Sequence, residues 1–299
     1  MTWITAALVV AAIMAVVSVV DSHLISRRMP SLWTFLVPAG IIHLSFGLIF
    51  FALHPPVSGV DAFPWFVAVV SAVARTAAAF LMLYAMRTEE VTRIIPVVYA
   101  HPFIVAILAV PLLGESLNYL QWLAILMTVG GAVLISVQGK GRGTRLRRSF
   151  VMLLASCMLF GVANVATKYA SDYIPFWNMY SISAICMGGI FCLLSVRRRV
   201  FGDLRGMEGR GFTLTVIALN ETIALAGIVL SFWAIETGPV SLVSTVMGIR
   251  PFFVFLYVLI LSRFLPTVLD ERLSPGIAAL KVVSIAFIVG GVAIINLVD

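Results

Sequence analysis

AMRTEEVTRIIPVVYAHPFIV, residues 85–105, returns as AIETGPVSLVSTVMGIRPFFV, residues 234–254, at a constant offset of 149 residues and with no gap. Seven of the 21 paired positions are identical, among them Thr88/Thr237, Val91/Val240, Pro102/Pro251 and Phe103/Phe252. Both copies have one layout. An apolar span ends, a short polar turn follows at the threonine, and a second apolar span begins that is interrupted by proline. Proline lacks a backbone donor and clashes with the carbonyl four residues back, so each copy predicts a helix broken at the same place. The chain is expected to consist of two similar halves.

Of the 299 residues, 62% are hydrophobic and only 11% charged, with mean hydropathy +1.10. A soluble globule of this size could not cover its surface with so little charge, so an integral membrane protein is expected. A net charge of +7 and a pI of about 9.7 would suggest nucleic acid as the partner of a soluble domain. Here the basic residues sit in short connections, where membrane topology accounts for them, and no nucleic-acid partner is expected. Cys157, Cys186 and Cys192 all fall in apolar spans and none forms a CxxC pair, which indicates neither a metal nor a disulfide framework. The apolar N-terminal stretch has no Lys or Arg before it and reads as a first membrane helix, not a signal peptide.

A bilayer core of roughly 30 Å is crossed by about 20 apolar residues in a helix. Ten such spans are read, at about 3–22, 32–53, 62–86, 94–113, 117–137, 149–169, 173–196, 211–235, 239–262 and 275–297. The fold class expected is all-α, ten transmembrane helices in two five-helix repeats, 1–138 and 149–299. They are joined by the basic linker GKGRGTRLRR, residues 139–148. Five is odd, so the second repeat must enter the membrane upside down, which makes an inverted-topology repeat. Gly130-Gly131 in span five corresponds to Gly290-Gly291 in span ten, and small residues there allow close helix approach. Of 20 Lys and Arg, 16 lie in connections after odd-numbered spans. By the positive-inside principle those connections face the cytoplasm and both termini face outside.

Thr88, His101-Pro102, Leu113-Gly114-Glu115 and Gly130-Gly131, with their second copies, resemble the EamA-type branch of the drug/metabolite transporter superfamily. In the second half Asp270-Glu271 takes the place of Gly114-Glu115, and Asn164 and Lys168 sit in span six where that family often has such residues. The resemblance covers essentially the whole chain. It implies secondary transport of small metabolites across the cell membrane by alternating access, often export. Exporters of the family are usually drawn with both termini in the cytoplasm; the charge count here gives the reverse.

Three charges fall near the middle of apolar spans: Arg75, Glu221 and Arg250. Each costs roughly 2.5–3.5 kcal/mol at a helix centre on an insertion scale, so each must face a partner or a wet cavity. One reading is a structural ion pair such as Arg75 with Glu221. The other is a central site in which Arg75 and Arg250 bind a carboxylate or phosphate, while Glu221 holds them apart or carries a coupling proton. Arg250 precedes Pro251 as His101 precedes Pro102. Two readings follow: both serve backbone loosened by proline, or both point at an anionic group across a pseudo-twofold axis. His43, Tyr84, Tyr99, Asn164, Tyr180, Asn220 and Trp233 are candidates to complete the pocket. Asp21 and His23 read as a solvated helix end, with a proton relay as the alternative, and Lys281 as a snorkelling side chain.

No Ser/His/Asp order and no HExxH motif occurs, so no catalytic residue, metal or cofactor is expected. No nucleotide-binding motif occurs either, so energy should come from a gradient or from exchange. The competing reading is an intramembrane enzyme or lipid-handling protein, which would need a catalytic pair or metal ligands at membrane depth. The partners expected are a small-molecule substrate, membrane lipids and a coupling proton, with a monomer or homodimer as the assembly.

Overall fold

The computed structural model describes residues 2–136, 144–264 and 275–298, apart from the side chains at 133, 135, 136, 144–148, 263, 264 and 275–282. Most of the linker read at 139–148, the pair Asp270-Glu271 and the side chain of Lys281 lie outside the described residues. Within them the chain is all-helical. In order the helices are α1 (Trp3–His23), α2 (Leu32–Leu53), α3 (Ala62–Ala85), α4 (Val91–Val98), α5 (Pro102–Leu113), α6 (Tyr119–Ser136) and α7 (Thr144–Ser171). They continue with α8 (Phe176–Ser195), α9 (Arg198–Arg205), α10 (Arg210–Thr237), α11 (Val240–Met247), α12 (Arg250–Phe264) and α13 (Pro275–Val298). A π-helical turn, Leu24–Arg28, extends α1.

The helix ends follow from local chemistry. Thr2 caps α1 by accepting from the Thr5 amide at 3.3 Å. Ser31 and Thr34 form a reciprocal capping box at α2, and Asn118 and Gln121 exchange amide bonds of 2.9 Å at the start of α6. Such boxes satisfy the orphan N–H groups of a first turn. Gly114 ends α5 at φ +68°, a left-handed conformation that a residue with a Cβ adopts only with strain.

Eight helical segments are long and apolar enough to cross a membrane, counting α1 with its π turn and the α4–α5 and α11–α12 pairs as single spans. Two shorter apolar helices, 119–132 and 283–298, stand where spans five and ten are expected. The breaks in spans four and nine fall where the prolines put them, at residues 99–101 and 248–249.

Corresponding spans of the two halves pack on each other: α2 on α8 and α6 on α13. The contacts of α3 with α7 and of α1 with α10 exchange under the same correspondence. The α6–α13 seam runs through the expected glycines. A Cβ on Gly131 would stand 2.6 Å from the Ser284 carbonyl oxygen, and one on Gly291 would stand 2.6 Å from that of Ala124. A Cβ on Gly130 would meet nothing within 4 Å. Neighbouring backbone cannot yield as a side chain can, so Gly131→Ala should lower the melting temperature of the purified protein, at an overpacking cost of about 1–3 kcal/mol. Gly130→Ala should leave it unchanged or raise it slightly, because alanine favours helix by about 1 kcal/mol.

Candidate substrate site

Proline at 102 shapes one wall of the interior. It cannot donate to Val98, and the imidazole of His101 takes that carbonyl instead, Nδ1 to O at 3.1 Å. Since a carbonyl only accepts, Nδ1 carries the hydrogen. Asn164 settles the other ring nitrogen. Its Oδ1 accepts from Arg75 Nη2 at 3.2 Å, and guanidinium is a donor only. Its Nδ2 therefore donates to Ser244 Oγ at 3.2 Å and to His101 Nε2 at 3.3 Å. His101 is held as the neutral Nδ1–H tautomer by its two neighbours.

Arg75 also donates to Thr167 Oγ1 at 3.0 Å. The Ser71 hydroxyl donates to the Ala163 carbonyl at 2.9 Å, so Thr167 donates to Ser71 at 2.7 Å. The guanidinium lies over the Phe232 ring, 5.0 Å from its centroid. Arg250 hydrogen-bonds Ser18 through Nη2 and sits 4.5 Å over the face of Tyr99. Unlike His101, it makes no bond to the backbone that its proline loosens. Arg75 is 8% exposed and Arg250 2%, and the Nε of each is buried without a partner. Among the described residues, no carboxylate lies within ion-pair distance of either guanidinium.

The acids are held elsewhere. Glu221 Oε2 contacts His43 Nε2 at 3.1 Å, so the ion pair of Arg75 with Glu221 is not formed. The reason is geometric: the α3 arginine is turned to α7, and the α10 carboxylate to α2. Asp21 Oδ1 accepts from Asn220 Nδ2 at 2.7 Å. Asp21 is buried and is not the solvated helix end expected, because α1 runs past it into the π turn. The water-facing end is marked by Arg27 and Arg28, a turn and a half or so further on.

Asp21, His43, Arg75, Tyr99, His101, Asn164, Glu221 and Arg250 all line one cavity of about 130 Å³. The remainder of its wall is mostly apolar, with Met14, Met82, Met187 and Met247 prominent. An interior of similar volume, roughly 150 Å³, is enough for a benzene molecule. Of the eleven residues singled out from the sequence, seven line this cavity: Arg75, Arg250, Glu221, His101, Tyr99, Asn164 and His43. Asn220 stands behind it, holding Asp21. Tyr84 does not reach it; the residue is 43% exposed and its ring lies beside Phe80. Trp233 packs into the apolar cluster around Val240 and Val243, and Tyr180 into one with Phe50 and Trp177.

Sequence reasoning missed Asp21, Ser18 and Thr167. The available signal was spacing: Ser18 and Asp21 are three residues apart and share a helix face. It also left open what Glu115 does. The Glu115 carboxylate caps α11 from the other half of the chain, accepting from Val240 N at 2.5 Å and Ser241 N at 3.2 Å.

Among the described residues, thirteen α-helices, eight spans of them long and apolar enough to cross a membrane, define a helical multi-pass membrane protein with a cavity lined by buried charges. Residues 1–137 match the model of the EamA-like transporter family. No curated protein matches the sequence. Among 28 solved chains that match, one crystal structure superposes over 99% of this chain and 96% of its own, with TM-score 0.66 and 19% identity. At that identity the likeness establishes the fold.

One test addresses the buried charges directly. Removing the partner of a buried hydrogen-bonded carboxyl group leaves it unsatisfied, at a cost of about 1–3 kcal/mol or more. His43→Ala should therefore lower the melting temperature well beyond a surface substitution. Adding Glu221→Gln to His43→Ala should recover much of the loss, read by thermal unfolding of the purified protein.

Proposed function

We propose that the chain is a secondary transporter of a small polar metabolite, an amino acid or organic anion, working by alternating access around the central cavity. The observation that carries this reading is the pair Arg75 and Arg250, two buried guanidiniums without a carboxylate partner, facing one cavity. An unpaired buried cation costs several kcal/mol, and a carboxylate or phosphate entering between them would relieve that cost with charge-assisted hydrogen bonds. The half-helices α5 and α12 begin beside the cavity, so their positive dipole ends favour the same ligand. Tyr99, His101 and Asn164 would orient it.

Glu221 has two roles in this reading, spacer or proton carrier. Its contact with His43, not with an arginine, favours the carrier. The neutral, four-methionine wall would accept the body of the solute. In the full reading the ten spans form two inverted five-helix repeats, 1–138 and 149–299, in the cell membrane with both termini outside. The exchange symmetry of the helix contacts supports two equivalent halves, and the lopsided arginine count supports the orientation. The working unit is a monomer or homodimer.

Counter-flow in proteoliposomes tests the reading. Labelled amino acid or organic anion should exchange against unlabelled solute with no chemical change. Arg250→Ala, at equal protein level, should lower that exchange about tenfold or more, the equivalent of one lost charge-assisted contact. Wild-type exchange by Arg250→Ala would remove Arg250 from the site, and absence of counter-flow for every solute of both classes would sink the transporter reading.

A further inference from the structure

The arginine-rich end of the bundle contains a second and larger cavity, of about 660 Å³. It lies between the end of α1 with its π turn, the α3–α4 turn, the start of α10 and the end of α12. His23, Arg27, Arg28 and Arg87 line it, together with Glu89 and Glu90. Two of these charges are already committed. Arg87 donates to the carbonyls of Ile25, Met29 and Pro30, and Glu89 pairs with Arg93 at 3.5 Å. The side chains of Arg27 and Arg28 have no hydrogen bond or ion pair to any described residue, and among the described residues lining the cavity Glu90 is the acid left to balance them. His23 Nδ1 is buried there without a partner. A buried, unpartnered ring nitrogen and two guanidiniums free of protein hydrogen bonds and ion pairs on one cavity wall are a set of groups able to donate to an oxyanion.

The two cavities follow one another along the same helices. On α1 the linings interleave, with Val17 and Asp21 on the central cavity and Val19, Val20, Ser22 and His23 on the larger one. On α10 the boundary falls between Glu221 and Val216, a separation of about 7.5 Å at 1.5 Å per residue. The partition between the cavities is therefore thin, no more than about one and a half helical turns along α10. The Asn220–Asp21 hydrogen bond, 2.7 Å, crosses it. The opposite end is tied by Glu115 on α11 and by Lys168 Nζ on the Glu236 carbonyl at 2.8 Å.

We infer that the larger cavity is a second oxyanion-binding site, distinct from the central one, and the vestibule through which a carboxylate- or phosphate-bearing solute approaches the Asp21–Asn220 partition. The vestibule role rests on the transporter reading; the anion site does not. A basic mouth raises the local concentration of anions by field focusing. Basic pockets between membrane helices also take phospholipid headgroups, so the phosphate chemistry has two sources to be told apart.

Inorganic phosphate is titrated calorimetrically onto the full chain in nanodiscs of phosphatidylcholine. Binding is expected. Arg27→Gln with Arg28→Gln should weaken it about tenfold or more, whereas Arg75→Gln with Arg250→Gln should leave it intact. Arg27 and Arg28 are exposed, so their variant should keep its melting temperature. Wild-type phosphate affinity in Arg27→Gln/Arg28→Gln, or no phosphate binding at all, overturns the site. Loss of binding only in Arg75→Gln/Arg250→Gln would assign the phosphate to the central cavity and equally overturn it. The titration is repeated in nanodiscs of phosphatidylglycerol. Undiminished binding supports a site open to the aqueous phase, and abolished binding hands the site to the lipid headgroup and overturns the vestibule. None of these arms requires transport, so failure of counter-flow and failure of this site are separate results.

Discussion

Within hydrocarbon a polar group that finds no partner inside the protein costs several kcal/mol, and the interior of this chain is arranged by that constraint. Asn164 shows how. One amide serves Arg75 through its oxygen and both Ser244 and His101 through its nitrogen. That single side chain joins α3, α7, α11 and the break between α4 and α5. The proline at 102 creates a debt at the Val98 carbonyl, and His101 meets it. What is left over is informative. The two guanidiniums keep an unpartnered Nε each and face a common space in which neither Asp21 nor Glu221 comes within ion-pair distance of them.

The broken spans serve the same end by a different route. An unbroken helix satisfies its own backbone and offers nothing to a solute. Interruption at residues 99–101 and 248–249 exposes helix starts beside the cavity, and each exposed end must then be stabilised. Glu115 does this for α11 across the divide between the halves. A carboxylate at a helix start is favoured both by its hydrogen bonds and by the dipole. The contact therefore couples the first half of the chain to the broken span of the second, beside the packing of Leu113 and Leu117 on the cluster around Val240 and Val243.

Much of this was readable in advance. The duplicated stretch, the paired prolines and the long apolar runs lead to a helical membrane protein with two similar halves, and the family match over residues 1–137 agrees. The glycine pairs located the α6–α13 seam, where Gly131 and Gly291 lie against neighbouring backbone and Gly290 against the Met127 side chain, while Gly130 faces open space. Intramembrane charge singled out Arg75, Glu221 and Arg250, since each carries too high a desolvation cost to face lipid. Asp21 escaped because an acid near the end of an apolar run resembles a helix terminus. Tyr84 and Trp233 were drawn in because aromatic and amide side chains in a membrane helix serve packing as readily as binding.

The sequence by itself determined class, segmentation and the existence of a charged interior, because hydropathy, proline placement and duplication act locally along the chain. It could not say which helix faces which. Whether Arg75 met Glu221 depended on rotations of α3 and α10 about their own axes, and a turn of the helix by one residue, about 100°, redirects every side chain on it. Only the tertiary packing turned Arg75 toward Asn164, Glu221 toward His43 and Asp21 inward to Asn220. Pairing across the bundle is a property of distances between segments far apart in the chain, and those distances exist only once the helices have packed.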